Sequence, residues 1–327
     1  MADTPSIDIT RTAALARDVL DEVERAVVGK RPALTLVLCG VLAGGHVLLE
    51  DLPGLGKTLA ARSFAQTLGL AFTRAQFTPD LLPADLTGSF VYDQRVSEFV
   101  FRKGPLFTGL LLADEINRTP PKTQAALLEA MQERQITVEG ETFALPAPFH
   151  VLATANPVEY EGTYPLPEAQ LDRFLLRISF GYPTRDEEFE VLERRVGRRE
   201  EAQQLRAVVD ATTLLAMQAA VETVDVDPDV SRYCVDLTVA TRQHPHVQIG
   251  ASPRGALGLL LSARAHAVID GRDFVTPEDV KAVAHAVLPH RLSIKPELWL
   301  TKASGTSVTT DVLAAVPTPT PGGAAQP

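Results

Sequence analysis

Apolar positions recur every fourth residue from about Thr10 to Val27, at Leu15, Val19, Val23 and Val27, and predict an amphipathic helix. From Ala33 to Leu49 the chain is almost wholly apolar, interrupted only near its end by Gly44-Gly45 and His46. That run approaches the lower length limit of a membrane span. The glycines inside it and the Gly/Pro turn after it favour a buried helix ending at Gly44-Gly45, then a buried strand. Ala61, Phe64, Ala65 and Leu68 give the next helix an apolar face, and Leu70 to Phe77 reads as a second strand. Between 85 and 107 the period shortens to two. Val91, Val96, Phe99 and Phe101 alternate with polar residues around Asp93-Gln94-Arg95, which predicts a β-hairpin. Gly109 to Ala113 is a short buried strand, and Pro120-Pro121 opens a helix carrying Ala125, Leu128 and Met131. A second hairpin near 135–146 would set Ile136 and Val138 against Phe143 and Leu145 across Glu139-Gly140-Glu141. Phe149 to Thr154 and Phe174 to Phe180 are the remaining strands.

Strands alternating with helices predict an α/β fold, a mostly parallel sheet with helices on both faces. Beyond Pro183 only helical signals remain. Phe189, Leu192 and Val196 share one face, Ser252-Pro253 caps and opens a helix with Leu257, Leu261, Ala265 and Val268, and Thr276-Pro277-Glu278-Asp279 repeats the start signal. The chain therefore divides into an α/β core over 1–183, a small all-helical domain over 184–300, and a tail over 301–327. The end of that tail, Pro317 to Pro327, is Pro/Thr/Gly/Ala-rich and expected to be disordered.

Composition narrows the partners. The 327 residues, 45% hydrophobic and 22% charged, suit about two globular domains. A formal net charge of −10 argues against duplex DNA or an anionic membrane as the main surface bound. Cys39 and Cys234 have no ligand-like spacing and suit buried thiols in a reducing compartment. The first six residues lack the basic start and apolar core of a signal peptide, so a cytoplasmic protein is expected.

The chemistry centres on His46 to Thr58, where an apolar strand enters Pro53-Gly54-Leu55-Gly56 and Lys57-Thr58-Leu59 opens a helix. Gly54 and Gly56 let backbone N–H groups turn toward phosphate oxygens, Lys57 brings charge to the β/γ-phosphates, and Thr58 offers a hydroxyl to Mg²⁺. The following helix adds its N-terminal donors. Asp51 stands where the general phosphate-loop pattern has its first glycine. A second signal is Leu110-Leu111-Leu112-Ala113-Asp114-Glu115, which would set two carboxylates at the carboxyl edge of the sheet. Asp114 suits Mg²⁺ and Glu115 an attacking water. Asn156 ends the next strand at the same edge and can hydrogen-bond both water and γ-phosphate. Arg254, in the first turn of a helix, opposes the dipole and so wants an anionic partner. Arg173 precedes the last strand.

These motifs in this order resemble the MoxR family of AAA+ ATPases, over nearly everything from Val19 to Leu292. The match rests on Val27-Val28-Gly29-Lys30, Leu49 to Thr58, Leu112 to Arg118, Pro121 to Gln124, Ala153 to Pro157, Pro165 to Phe174 and Gly250 to Arg254. Glu-Asp ahead of the Pro-Gly turn resembles the family's own form of the loop. The resemblance implies a P-loop NTPase core followed by a helical lid, with ATP and Mg²⁺ as cofactors. Val27, Val28, Gly29 and Lys30 would contact adenine, Lys57 and Thr58 form Walker A, and Asp114 and Glu115 form Walker B. Asn156 resembles sensor 1. Arg173 matches the arginine finger given to a neighbouring subunit's ATP, and Arg254 matches sensor 2, which reaches the γ-phosphate from the lid. The two hairpins resemble insertions that face a central pore.

A finger acting on a neighbour implies a homo-oligomeric ring of six. Relatives act as chaperone-like ATPases, often beside a von Willebrand factor A domain protein, on a protein client. No nucleic-acid partner and no membrane insertion are expected. The contrasting readings are a nucleotide-gated binding module with little turnover, and a small-molecule kinase or GTPase. No Asn-Lys-x-Asp guanine signature supports a GTPase, and no basic, aromatic-interleaved stretch supports a nucleic-acid motor.

Overall fold

A computed structural model describes residues 7–157, 163–198, 203–299 and 301–319. The first six residues, where a leader would begin, and 320–327, most of the stretch expected to be disordered, lie outside the described residues. The α/β part runs α1 (Ile9–Glu24), α2 (Arg31–Leu42), β1 (Val47–Glu50), α3 (Lys57–Thr67), β2 (Phe72–Gln76), α4 (Pro83–Thr87), β3 (Gly88–Asp93), β4 (Glu98–Lys103) and β5 (Leu110–Asp114). It continues through α5 (Pro121–Glu133), β6 (Gln135–Val138), β7 (Glu141–Ala144), β8 (His150–Ala155), α6 (Glu168–Leu171) and β9 (Leu176–Ile178). The lid contains α7 (Arg185–Arg198), α8 (Ala211–Glu222), α9 (Pro228–Gln243), β10 (Val247–Ile249), α10 (Pro253–Ile269), α11 (Pro277–Val287), β11 (Ser293–Ile294) and α12 (Gly305–Ala315).

Five strands form one parallel sheet in the order β2-β5-β8-β1-β9. Successive side chains of a strand point to opposite faces, and the core divides accordingly. Leu110, Leu112 and Leu152 pack with α1, α2 and α3 and with lid residues such as Leu237, Leu259 and Val283. Leu111, Val151 and Ala153 pack with Leu127 and Met131 of α5 and with Phe174. One face of the sheet thus shares a continuous apolar core with the lid.

Both hairpins form, β3 with β4 and β6 with β7. Val96 falls in the first hairpin's turn, and α4 precedes it. Ile136 faces Phe143 as expected, but Val138 pairs with Glu141, and Leu145 instead bonds Arg134. Phe101 stacks on Phe143 at 4.1 Å between centroids, which joins the two hairpins. The lid departs from the all-helical expectation, since β10 and β11 form a small antiparallel ladder. Strands of two and three residues are too short to show alternation. Within 301–319 the chain forms α12, which is capped by Ser304, buries Val308 and Val312, and packs on α9 and α11. The face of α7 carrying Phe189, Leu192 and Val196 is exposed rather than buried. Among the described residues no helix is long and apolar enough to cross a membrane.

Two buried histidines tie the start of β1 to its surroundings. His46 Nε2 lies 3.1 Å from Met131 O while its Nδ1 accepts Val151 N–H at 3.0 Å. His150 Nδ1 lies 2.9 Å from Gly45 O, and its Nε2 is 3.0 Å from Gln218 Nε2 of α8. Burial lowers His46 to about 3 and His150 to about 4, so both rings are neutral. Unfolding restores a value near 6.5. Their stabilising contribution is therefore complete above about pH 6.5 and is lost as pH falls toward 4, by about 1.4 kcal/mol per pH unit for each ring. Melting temperature should fall between pH 7 and pH 5, above the range where most carboxylates titrate; a flat profile there would contradict this assignment.

Candidate active site

The phosphate loop lies between the carboxyl end of β1 and the N-terminus of α3, as its residue types require. Gly54 and Gly56 hold φ of 83° and 84°, the left-handed region that other residues rarely adopt, and a Cβ at either would meet no atom within 4 Å. Conformation demands glycine here, and the space a Cβ would take is left open to a ligand. Lys57 Nζ donates to Leu52 O at 3.1 Å and to Asp51 O. Burial lowers its pKa, opposed by the carboxylates of Asp51, Asp114, Glu115 and Glu50.

Asp51 has a defined task. Its buried carboxylate accepts Ser179 Oγ at 3.0 Å, Gly181 N–H at 3.1 Å and Phe180 N–H. Those donors belong to the segment leaving β9 for α7, so Asp51 braces the first residue of the loop against the path to the lid. Asp51→Gly would restore the general loop pattern but strand two backbone donors, at about 1–3 kcal/mol each. A lower melting temperature and weaker ATP binding are expected, and unchanged values for both would contradict the brace.

Asp114 ends β5 fully inside this edge. Thr154 Oγ1 donates to its Oδ1 at 2.6 Å, and Arg74 of β2 donates to Oδ2 at 2.6 and 3.0 Å. Glu115 adopts left-handed backbone, φ 59° and ψ 50°, with its N–H on Thr154 Oγ1 at 2.8 Å. Such backbone in a non-glycine residue is held by its surroundings and concentrates at functional sites. Gln76 Nε2 donates to Glu115 Oε2 at 2.7 Å, and Arg118 Nε lies 3.3 Å from the same oxygen. Asn156 is buried at the end of β8, its carbonyl accepting Asn117 Nδ2 at 3.1 Å. Pro53, Gly54, Gly56, Lys57, Thr58, Leu59, Asp114, Glu115 and Asn156 together line one cavity of about 350 Å³. Leu55 and Asp51 do not line it. Gln76 and Arg74 of β2 join the site although no motif marks them, and Thr154, inside the Ala153–Pro157 motif, joins it through its hydroxyl.

Val27 and Val28 are buried, Gly29 is left-handed against the Glu187 side chain, and Lys30 Nζ donates to Tyr182 O at 3.0 Å. This segment packs under the β9–α7 connection rather than lining the phosphate cavity.

Arg173 and Arg254 are brought together, but not to the phosphate loop. Both line a second cavity of about 360 Å³ with Gly44, Gly45 and His46, at the amino end of β1. β1 has four residues at ~3.3 Å each, so the two cavities stand at opposite edges of the sheet, more than ~10 Å apart. Arg254, expected to reach the γ-phosphate from the lid, does not line the cavity of its own chain's phosphate loop. The reason is the clamp between Asp172 and the lid. Arg291, almost fully buried, donates from Nε to Asp172 Oδ1 at 2.8 Å, and Ser252, the N-cap of α10, donates to Oδ2 at 3.1 Å. That clamp seats the N-terminus of α10 beside Arg173. Neither the Arg173 nor the Arg254 guanidinium has a hydrogen-bond or ion-pair partner among the described residues.

Comparison with known proteins bears on the family and the fold. The model of the ATPase family associated with various cellular activities (AAA) matches residues 46–176, and that of the AAA lid domain matches 239–311. The chain is 44% identical to Chaperone MoxR1 of Mycobacterium tuberculosis over 307 residues, 91% of this chain and 81% of that one. It belongs to the MoxR family of AAA+ ATPases. YeaC of Bacillus subtilis is 46% identical over 300 residues, 92% of this chain and 93% of that one. The crystal structure of a candidate ATPase from Cytophaga hutchinsonii superposes with a TM-score of 0.89 at 40% identity, covering 95% of this chain and 97% of that chain. The parallel five-stranded sheet followed by a helical lid is thus the MoxR-family fold, and family membership assigns nucleotide binding to this chain.

Proposed function

We propose that this MoxR-family protein is an Mg²⁺-dependent ATP hydrolase whose site is completed by a second copy, working as a chaperone-like remodelling ATPase. One observation carries the reading: loop, carboxylates and Asn156 line one cavity, while Arg173 and Arg254 line another across the sheet, their guanidinium groups without a partner among the described residues. Two cations at the far edge cannot serve the loop of their own chain, and head-to-tail packing would bring them to the next chain's loop. Such heterologous contacts close into rings, and a ring of six is the proposed assembly.

Within one chain, the open cradle at Gly54 and Gly56 and the charge of Lys57 suit a triphosphate. Thr58 and Asp114 supply the hard oxygen donors that Mg²⁺ prefers, and the ion would neutralise phosphate charge. Glu115, held by Gln76 and Arg118, orients and polarises the attacking water. Asn156 holds the same water against the γ-phosphate. Arg173 and Arg254, arriving from the neighbour, stabilise the charge that develops on the transferred phosphoryl group. The Asp172 clamp joins both arginines to one rigid junction, so lid position in one copy sets catalysis in the next.

A protein client and a von Willebrand A-domain partner are proposed on the MoxR likeness, and the β3–β4 hairpin offers exposed Tyr92 and Phe99 as a contact. Capture on a Glu115→Gln protein loaded with ATP tests this. A client retained in ATP and released in ADP supports remodelling. Binding indifferent to nucleotide contradicts it, and tight ATP-dependent binding with a rate no partner alters favours the gated module instead.

A further inference from the structure

Asp114, the carboxylate suited to the metal, already carries a cation. Arg74 Nη2 and Nε donate to its Oδ2 at 2.6 and 3.0 Å, and Thr154 Oγ1 donates to its Oδ1 at 2.6 Å. A carboxylate oxygen offers two lone pairs, so Arg74 fills Oδ2 and Thr154 takes half of Oδ1. Strand register produces the pair. β2 is the edge strand beside β5, with Gln76 opposite Asp114 and Arg74 opposite Leu112. Residues two apart on a strand share a face, so Arg74 reaches along that face to Asp114. There a half-exposed guanidinium meets a largely buried carboxylate. Arg74 Nη2 also donates to Gln76 Oε1 at 3.0 Å, on the exposed side of the strand. Moving Arg74 off Asp114 therefore strands no buried donor, because a second acceptor and water are both at hand. A guanidinium and a divalent cation compete for such a carboxylate in two ways. They need the same lone pairs, and their charges repel.

Resting on the reading of Asp114 as the Mg²⁺ carboxylate, we propose that Arg74 is a resident counter-ion that keeps Asp114 free of metal until nucleotide arrives. A triphosphate brings further oxygen donors to the ion, as Mg²⁺ prefers, and tips the competition away from Arg74. Metal and nucleotide then enter the site together, and the loop without nucleotide holds no bare cation. Arg74 acts on metal occupancy and touches none of the reacting atoms, which makes it a positioning residue.

Mn²⁺, which shares the preference for hard oxygen donors and is followed by its paramagnetic resonance, is the probe. Nucleotide-free Arg74→Gln protein is expected to bind Mn²⁺ about 10-fold more tightly than wild type, the scale of one hydrogen bond to a charged group. Adding Asp114→Asn to Arg74→Gln should remove that gain. Equal Mn²⁺ affinity in the nucleotide-free wild type and Arg74→Gln, with only a lower melting temperature, would make Arg74 a mere tie between β2 and β5 and overturns the proposal. Weaker binding in Arg74→Gln overturns it as well, and so does a gain that survives Asp114→Asn. Should Arg74→Gln fail to fold, Arg74→Met, which keeps most of the reach without the charge, decides the matter by the same titration. Mn²⁺ binding in the presence of ATP, compared between wild type and Asp114→Asn, separates the levels. Binding indifferent to Asp114 sinks the metal reading itself. Binding that needs Asp114, beside an unchanged nucleotide-free affinity in Arg74→Gln, sinks only the role of Arg74.

Discussion

Arg173→Ala is expected to lower ATP turnover by roughly 10³–10⁵, the range by which arginine fingers accelerate nucleotide hydrolysis, while assembly and nucleotide affinity stay close to wild type. Arg173 lines a cavity at the amino end of β1, so it is remote from its own phosphate loop. Its guanidinium has no partner among the described residues, and its removal therefore breaks no internal contact. The backbone around it is held by other groups, Arg173 N–H on Gln170 O at 3.2 Å and the neighbouring Asp172 on Arg291 at 2.8 Å. A loss of turnover without loss of folding thus isolates the transition-state charge as the quantity removed. Single-turnover rates together with particle mass check it; an assembled Arg173→Ala protein with wild-type rate would contradict the assignment.

Glu115→Gln should retain ATP and cost about 10²–10⁴ in turnover, the usual contribution of a general base. The substitution keeps side-chain volume and leaves the Gly54–Thr58 cradle untouched. The backbone at Glu115 is held by main-chain hydrogen bonds, its N–H on Thr154 Oγ1 and its carbonyl accepting Arg118 N–H, which the substitution leaves in place. Equilibrium binding of a fluorescent ATP analogue and phosphate release are the two readings. Lost binding together with lost turnover would show that Glu115 shapes the pocket rather than the chemistry.

Much of this site is legible in the sequence because its chemistry is local. Gly54 to Thr58, Asp114-Glu115 and Asn156 each sit at a strand's carboxyl end, where polar residues after an apolar run already define a sheet edge. What cannot be read is tertiary. The donors to Asp51 lie about 130 residues downstream, at Ser179, Phe180 and Gly181, and the sequence near Asp51 carries no trace of them. For Arg254 the sequence specifies the helix, the turn and the need for an anion. Its direction, however, depends on where the lid docks, and that is decided by Asp172, Ser252 and the buried Arg291. The lid ladder and α12 escape a sequence reading for a different reason. Strands of two and three residues carry no period, and a sequence of Thr, Ser and Val resembles a linker until its cap at Ser304 is seen.

The central claim is that one chain holds only part of an ATPase site. Turnover per subunit, followed through a dilution series from the assembled protein to single copies, tests it most directly. The divided site predicts that turnover per subunit collapses as the assembly dissociates, while ATP remains bound. A single copy that hydrolyses ATP at the rate of the assembly would contradict it.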